Sequence, residues 1–112
     1  MKRTMTVKNL CEKLNLTVLT KGDTEKEITG CYSGDLLSWV MSRAREGDAW
    51  LTVMGNVNAV AVAVLSDCAC IILTENAPLD DAAREKALQQ GVTFLSSDRN
   101  AYELSVEISK LI

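Results

Sequence analysis

Short segments rich in β-branched and apolar residues alternate along this chain with segments of helical period, and that alternation leaves few folds open. The clearest of them is Cys68-Ala69-Cys70-Ile71-Ile72-Leu73, apolar at every position. Such a run suits a strand covered on both faces, as in the interior of a parallel sheet.

The remaining elements follow from punctuation. Thr6 is placed to cap a helix whose Val7, Leu10, Cys11 and Leu14 recur at helical spacing, and a strand follows at Leu16 to Leu19. After the turn Lys21-Gly22-Asp23, Glu27 to Tyr32 reads as a second strand closing at Ser33-Gly34-Asp35. Leu36 to Arg45 carries an apolar helical face, with Arg43 and Arg45 where the helix dipole favours cations, and Ala49 to Val53 is the third strand. Val57 to Leu65 alternates Ala and Val as a strand would, whereas Asn56 as a cap and the alanine content suit a helix. The helix is preferred because it supplies a crossover to the Cys68 strand, where a hairpin would lack its glycine. Leu79 to Gln90 is a helix with Asp80 and Asp81 in its first turn and Gly91 in the left-handed position beyond its end. A short strand at Val92 to Leu95, a cap at Ser96-Ser97-Asp98 and a terminal amphipathic helix complete the chain. The order predicts a three-layer α/β/α sandwich around a mostly parallel five-stranded sheet, as one domain spanning residues 1–112.

Composition narrows function. A length of 112 residues suits one hydrophobic core, and 24% charged residues with a net charge of −3 give no basic stripe for nucleic acid. The longest apolar run, Ala59 to Leu65, is too short for a membrane span. Lys8, Asn9, Glu12 and Lys13 interrupt the basic opening Met1-Lys2-Arg3, so no export signal is read and the cytoplasm is the expected compartment. Four cysteines and no histidine fit free thiols better than a zinc site, and no cofactor is implied. Period two would put the sulfurs of Cys68 and Cys70 on one face. Gly34, Gly55 and Gly91 match neither a dinucleotide-binding nor a P-loop pattern, and without His no usual nucleophilic triad assembles, so the chain reads as a non-enzyme.

In a parallel sheet, ligands bind outside the carboxyl ends of the strands. Four polar loops should gather there, and Ser33, Asn56, Thr74, Asn76, Ser97 and Arg99 are the candidate contacts for a small polar or nucleotide-like ligand. The plainer reading is that Ser, Asp and Asn simply cap helices. Trp39 flanks the apolar stripe of its helix, either as a core side chain or as an anchor for a dimer contact. The segment holding Val60 is apolar all round and needs cover on every side, which a second subunit would supply.

The stretch Thr6 to Leu19 resembles the opening of the HPr kinase/phosphorylase N-terminal domain. Ile28 to Leu36, Gly47 to Thr52, Ile71 to Thr74 and Gly91 to Ser97 continue the likeness, and the chain as a whole resembles a stand-alone DRTGG domain. The naming motif should fall just after the third strand, where the chain reads Val53-Met54-Gly55-Asn56-Val57-Asn58, keeping a glycine but not the Asp-Arg pair. The resemblance implies a bacterial accessory or regulatory module of the kind found beside nucleotide-sensing domains in pyrophosphatases and phosphotransacetylases, often at dimer interfaces. The kinase domain of the first family is absent, so phosphorylation of HPr is not implied.

Overall fold

The computed structural model describes residues 4–112, and the basic Met1-Lys2-Arg3 lies outside the described residues. In chain order the elements are α1 (Val7–Leu14), β1 (Thr17–Thr20), β2 (Gly30–Ser33), α2 (Leu37–Arg43), β3 (Asp48–Thr52), α3 (Val57–Ser66), β4 (Cys70–Leu73), α4 (Asp81–Gln90), β5 (Phe94–Ser96) and α5 (Ala101–Ser109). One five-stranded sheet has the order β1-β5-β4-β3-β2. Strands β2 to β5 are parallel neighbours, and β1 joins β5 antiparallel.

Side chains set the helix ends. Thr6 Oγ1 accepts from the Asn9 N–H, Asn56 Oδ1 from Ala59 and Asp80 Oδ1 from Ala83, each closing one orphan donor of a first turn. Asn100 and Glu103 make a reciprocal capping box on α5, three residues beyond the cap read at Ser96-Ser97-Asp98. Asn15, Asp67 and Gly91 end α1, α3 and α4 in the left-handed conformation. Val57 to Ser66 is helical, because the Asn56 cap and a crossover between parallel neighbours outweigh the β-propensity of its valines.

Each of α2, α3 and α4 links adjacent parallel strands stepping one way across the sheet, so crossovers of one hand put all three on the same face. There Val40, Trp50, Val60, Ile71, Leu73, Ala83 and Phe94 form one half of the core. On the other face α1 and α5 pack Val7, Leu10, Leu14, Leu104 and Ile108 against Ala49, Leu51, Ile72 and Leu95. Strands β3 and β4 are buried at every position. Their alternate side chains feed opposite halves of the core, as a doubly covered sheet requires.

Cys68 and Cys70 do not share a face. The strand begins at Cys70, after the left-handed Asp67, so Cys68 precedes the period-two region and joins the α2–α4 side while Cys70 joins the α1/α5 side. Likewise β2 starts at Gly30 rather than Glu27. Glu27 instead bridges Thr6, within a segment bonded back to the start of α1 through Val7 N to Lys26 O and Ile28 N to Met5 O.

Candidate functional site

The two ends of the sheet differ. Residues 21–29 carry the chain from β1 at one edge to β2 at the other and run along the amino ends of the parallel strands. At the carboxyl ends four loops stand together: residues 34–36, 53–56, 74–80 and 97–100.

Hydrogen bonds tie each of these loops to the next. Asp35 Oδ1 accepts from Thr52 Oγ1 at 2.7 Å and from the Val53 N–H at 2.9 Å, joining the first loop to the second. Asp80 N donates to Gly55 O at 2.9 Å, joining the second to the third, and Thr74 N donates to Thr52 O at 3.1 Å where the third loop leaves the β3–β4 ladder. Glu75 N reaches Arg99 O and Asn76 N reaches Ser97 O, both at 2.9 Å, joining the third to the fourth. Glu75 and Asn76 both have positive φ, within a turn closed by Ala77 N to Thr74 O. Glu75 carries the steric cost of that conformation, which Asn tolerates better.

The six sequence candidates all lie on this rim but are not equivalent. Ser33 and Asn76 are exposed. Asn56 commits its side-chain oxygen to the α3 cap, which leaves its NH2 as a donor pair. Thr74 is buried, and Ser97 is buried with its Oγ accepting from the Arg99 N–H at 3.1 Å. Arg99 is half-buried, with its backbone held on both sides by the bonds just described.

A family model for the DRTGG domain matches residues 9–111. The chain belongs to the DRTGG domain family. Its fold is similar to that of the CBS and DRTGG domains of the regulatory region of Clostridium perfringens pyrophosphatase, a structure complexed with the activator diadenosine tetraphosphate. That match has a TM-score of 0.73 at 14% identity, over 90% of this chain and 44% of that one. The chain thus spans less than half of that regulatory region, and at such identity the likeness is one of fold. No curated protein sequence matches the chain significantly.

In this DRTGG domain the loop without the Asp-Arg pair keeps its glycine for a steric reason. A Cβ on Gly55 would lie 2.0 Å from Pro78 O and 3.0 Å from Leu79 Cα, so the second loop can approach the third only without a side chain. Gly55→Ala is expected to cost about 1–3 kcal/mol in chemical denaturation, by forcing the two loops apart.

Two sequence expectations at the surface change. Trp39 is 54% exposed on α2 with the Arg43 guanidinium 4.0 Å from its ring centre, so the core reading does not hold. Val60 is 0% exposed, covered by the chain's own core, and offers nothing to a partner. The open face of α3 belongs instead to Val57, Val64 and Leu65, so the helix does not find cover on every side within the chain. Asp35, which fastens two loops, and Tyr102, the most exposed of the large hydrophobic side chains among the described residues, are rim residues that sequence reasoning passed over. Tyr102 stands outside the Ala101, Leu104, Ile108 stripe of its helix, and that was the available signal.

Among the described residues no three His, Cys, Asp or Glu side chains are placed to hold a metal. Burial first, then the carboxylates of Asp48 and Asp67, push the Cys68 thiol up to about 11, and burial also raises Cys70. Both thiols therefore stay protonated in the fold where an unfolded thiol, near 9.0, would ionise. The sign follows: above pH 9 unfolding releases protons, and stability falls as pH rises through about 11. Thermal melts between pH 7 and 11 are expected to show a Tm that declines above 9, with the decline reduced in Cys68→Ala.

Proposed function

We propose that this DRTGG domain is a non-catalytic regulatory module, acting as one unit over residues 1–112, that takes a small polar or nucleotide-like ligand at the carboxyl-end rim of its sheet. The observation that carries the reading is the chain of hydrogen bonds that locks four loops into one rim, with Ser33, Asn76 and Arg99 offering polar groups there. Preorganised loops lower the ordering cost of binding. The nucleotide activator of the pyrophosphatase regulatory region supports the ligand class, and free thiols fit a reducing bacterial cytoplasm. No helix among the described residues is long and apolar enough to cross a membrane.

A ligand that binds the folded state raises Tm by mass action. In a thermal-shift screen of nucleotides and phosphorylated metabolites at millimolar concentration, at least one is expected to raise Tm by several degrees, with the rise reduced in Ser33→Ala and Asn76→Ala. A flat response across the panel would reject the reading.

A second reading, of association between two copies, rests on a different observation. The α2–α4 layer exposes Leu36, Trp39, Met41, Val64, Leu65 and Leu88 on adjoining helices. Large apolar side chains exposed along one helical layer favour a contact surface there. Leu65 is 71% exposed, so Leu65→Asp is expected to leave the monomer's stability within about 0.5 kcal/mol while shifting sedimentation from dimer to monomer. A wild-type chain that sediments as a monomer at 100-fold dilution and at high concentration alike rejects this second reading.

A further inference from the structure

We propose that the cleft between the carboxyl end of α1 and the start of α5 is the nucleotide subsite of this domain, with Tyr102 as the stacking platform for the base and Lys13 and Arg99 as the phosphate contacts. The proposal rests on the ligand-binding reading above and moves its centre from the middle of the rim to this flank. Thr17 pairs with Ser96, so α1 ends at the same edge of the sheet as the rim loops, and Lys13 is brought beside the loop that carries Arg99.

The cleft has a volume of about 480 Å3, within the range of small-molecule sites, and Lys13, Leu14, Arg99, Tyr102 and Val106 are in its wall. Tyr102 is 77% exposed, an arrangement that leaves a large aromatic face without a protein partner. Base–aromatic stacking uses such a face and is tolerant of base identity. Among the described residues neither Lys13 nor Arg99 is in an ion pair. Two carboxylates share the wall: Glu107 Oε1 is paired with Lys110 Nζ at 3.6 Å, while Glu103 Oε1 accepts from Asn100 N at 3.2 Å and is directed to the cap of α5. Two cations outside any ion pair, beside an open aromatic ring, match a ligand that joins a planar base to an anionic phosphate.

The cavity at the opposite end of the sheet has the contrary character. It holds Glu27, Glu46 and Asp67, and its Lys26 is paired with Asp67 at 3.2 Å, so it repels an anion. Arg99 also has a fixed backbone, through its N–H on Ser97 Oγ and its carbonyl under Glu75 N. A guanidinium carried on a fixed turn loses less freedom on binding than one on a mobile loop.

Calorimetric titration of the full chain with ATP, adenosine and inorganic triphosphate tests the assignment. Wild type is expected to bind ATP more tightly than either fragment. Tyr102→Ala is expected to weaken ATP binding about tenfold, with Tyr102→Phe close to wild type. Arg99→Gln and Lys13→Gln are each expected to weaken ATP and triphosphate about tenfold while leaving adenosine unchanged. Of the three side chains replaced, Tyr102 and Lys13 are exposed and Arg99 is half-buried, and an unchanged Tm confirms that the four variants fold. Unaltered ATP affinity in Tyr102→Ala and Arg99→Gln, with loss in Ser33→Ala or Asn76→Ala, overturns this subsite and keeps the rim reading. Absence of ATP binding by wild type overturns the nucleotide subsite, while a thermal shift by another polar metabolite would still uphold the rim.

Discussion

Val60→Asp is expected to unfold the chain, not to dissociate it. Val60 lies at 0% exposure in the half of the core formed by α2, α3 and α4 against Trp50, Ile71 and Phe94. An aspartate there has no cation within the apolar cluster, so the ionised form costs on the order of 5 kcal/mol, and the protonated form still loses the packing of the valine. A domain of this size has about 5–15 kcal/mol in total. Circular dichroism at 25 °C should show loss of the α/β signal in Val60→Asp and a native spectrum in Leu65→Asp. A folded Val60→Asp chain that has merely become monomeric would mean that α3 is covered by a partner and not by its own domain.

Trp50→Ala is expected to lower stability by about 3–5 kcal/mol, which for a chain of this length lowers Tm by on the order of 15 °C. Trp50 is fully buried on the interior strand β3, and its Nε1 donates to Gly34 O at 2.9 Å. Truncation removes the largest side chain of the core and also leaves a rim carbonyl without its donor. The loss therefore reaches the site: the loop of residues 34–36, held also by Asp35, is expected to become mobile. Trp50→Phe separates the two effects. It restores most of the volume without the N–H, so it is expected to recover most of the Tm while amide exchange at Gly34 and Asp35 stays fast. A Tm fall below about 1 kcal/mol equivalent in Trp50→Ala would contradict the packing described.

How much of this is legible in the sequence depends on the range of the interaction. Helix ends are written locally, in Thr6, Asn56, Asp80 and Gly91, because each cap is one side chain or one φ acting within three residues. The parallel sheet is legible because β3 and β4, apolar on both faces, have only one stable setting between two helical layers. Strand limits are less so: pairing decides them, and at Cys68 the left-handed Asp67 delays the strand by two residues. The gathering of the rim loops follows from the same alternation that predicts the sheet. The state of each candidate residue does not, because whether Thr74 and Ser97 are buried, or Asn56 is committed to a cap, depends on contacts between loops distant in sequence. The burial of Val60 by its own domain is hidden for the same reason, since an all-apolar helix shows no inner face until its neighbours are placed.

The edge of the sheet that binds is decided most directly by the 1H–15N spectrum of the labelled 112-residue chain during titration with ATP. Shift changes concentrated at Gly34, Asn76, Ser97, Arg99 and Tyr102 are the expected result. Changes concentrated at Thr29, Gly47 and Asp67, at the other end of the strands, would contradict a carboxyl-end rim as the seat of regulation.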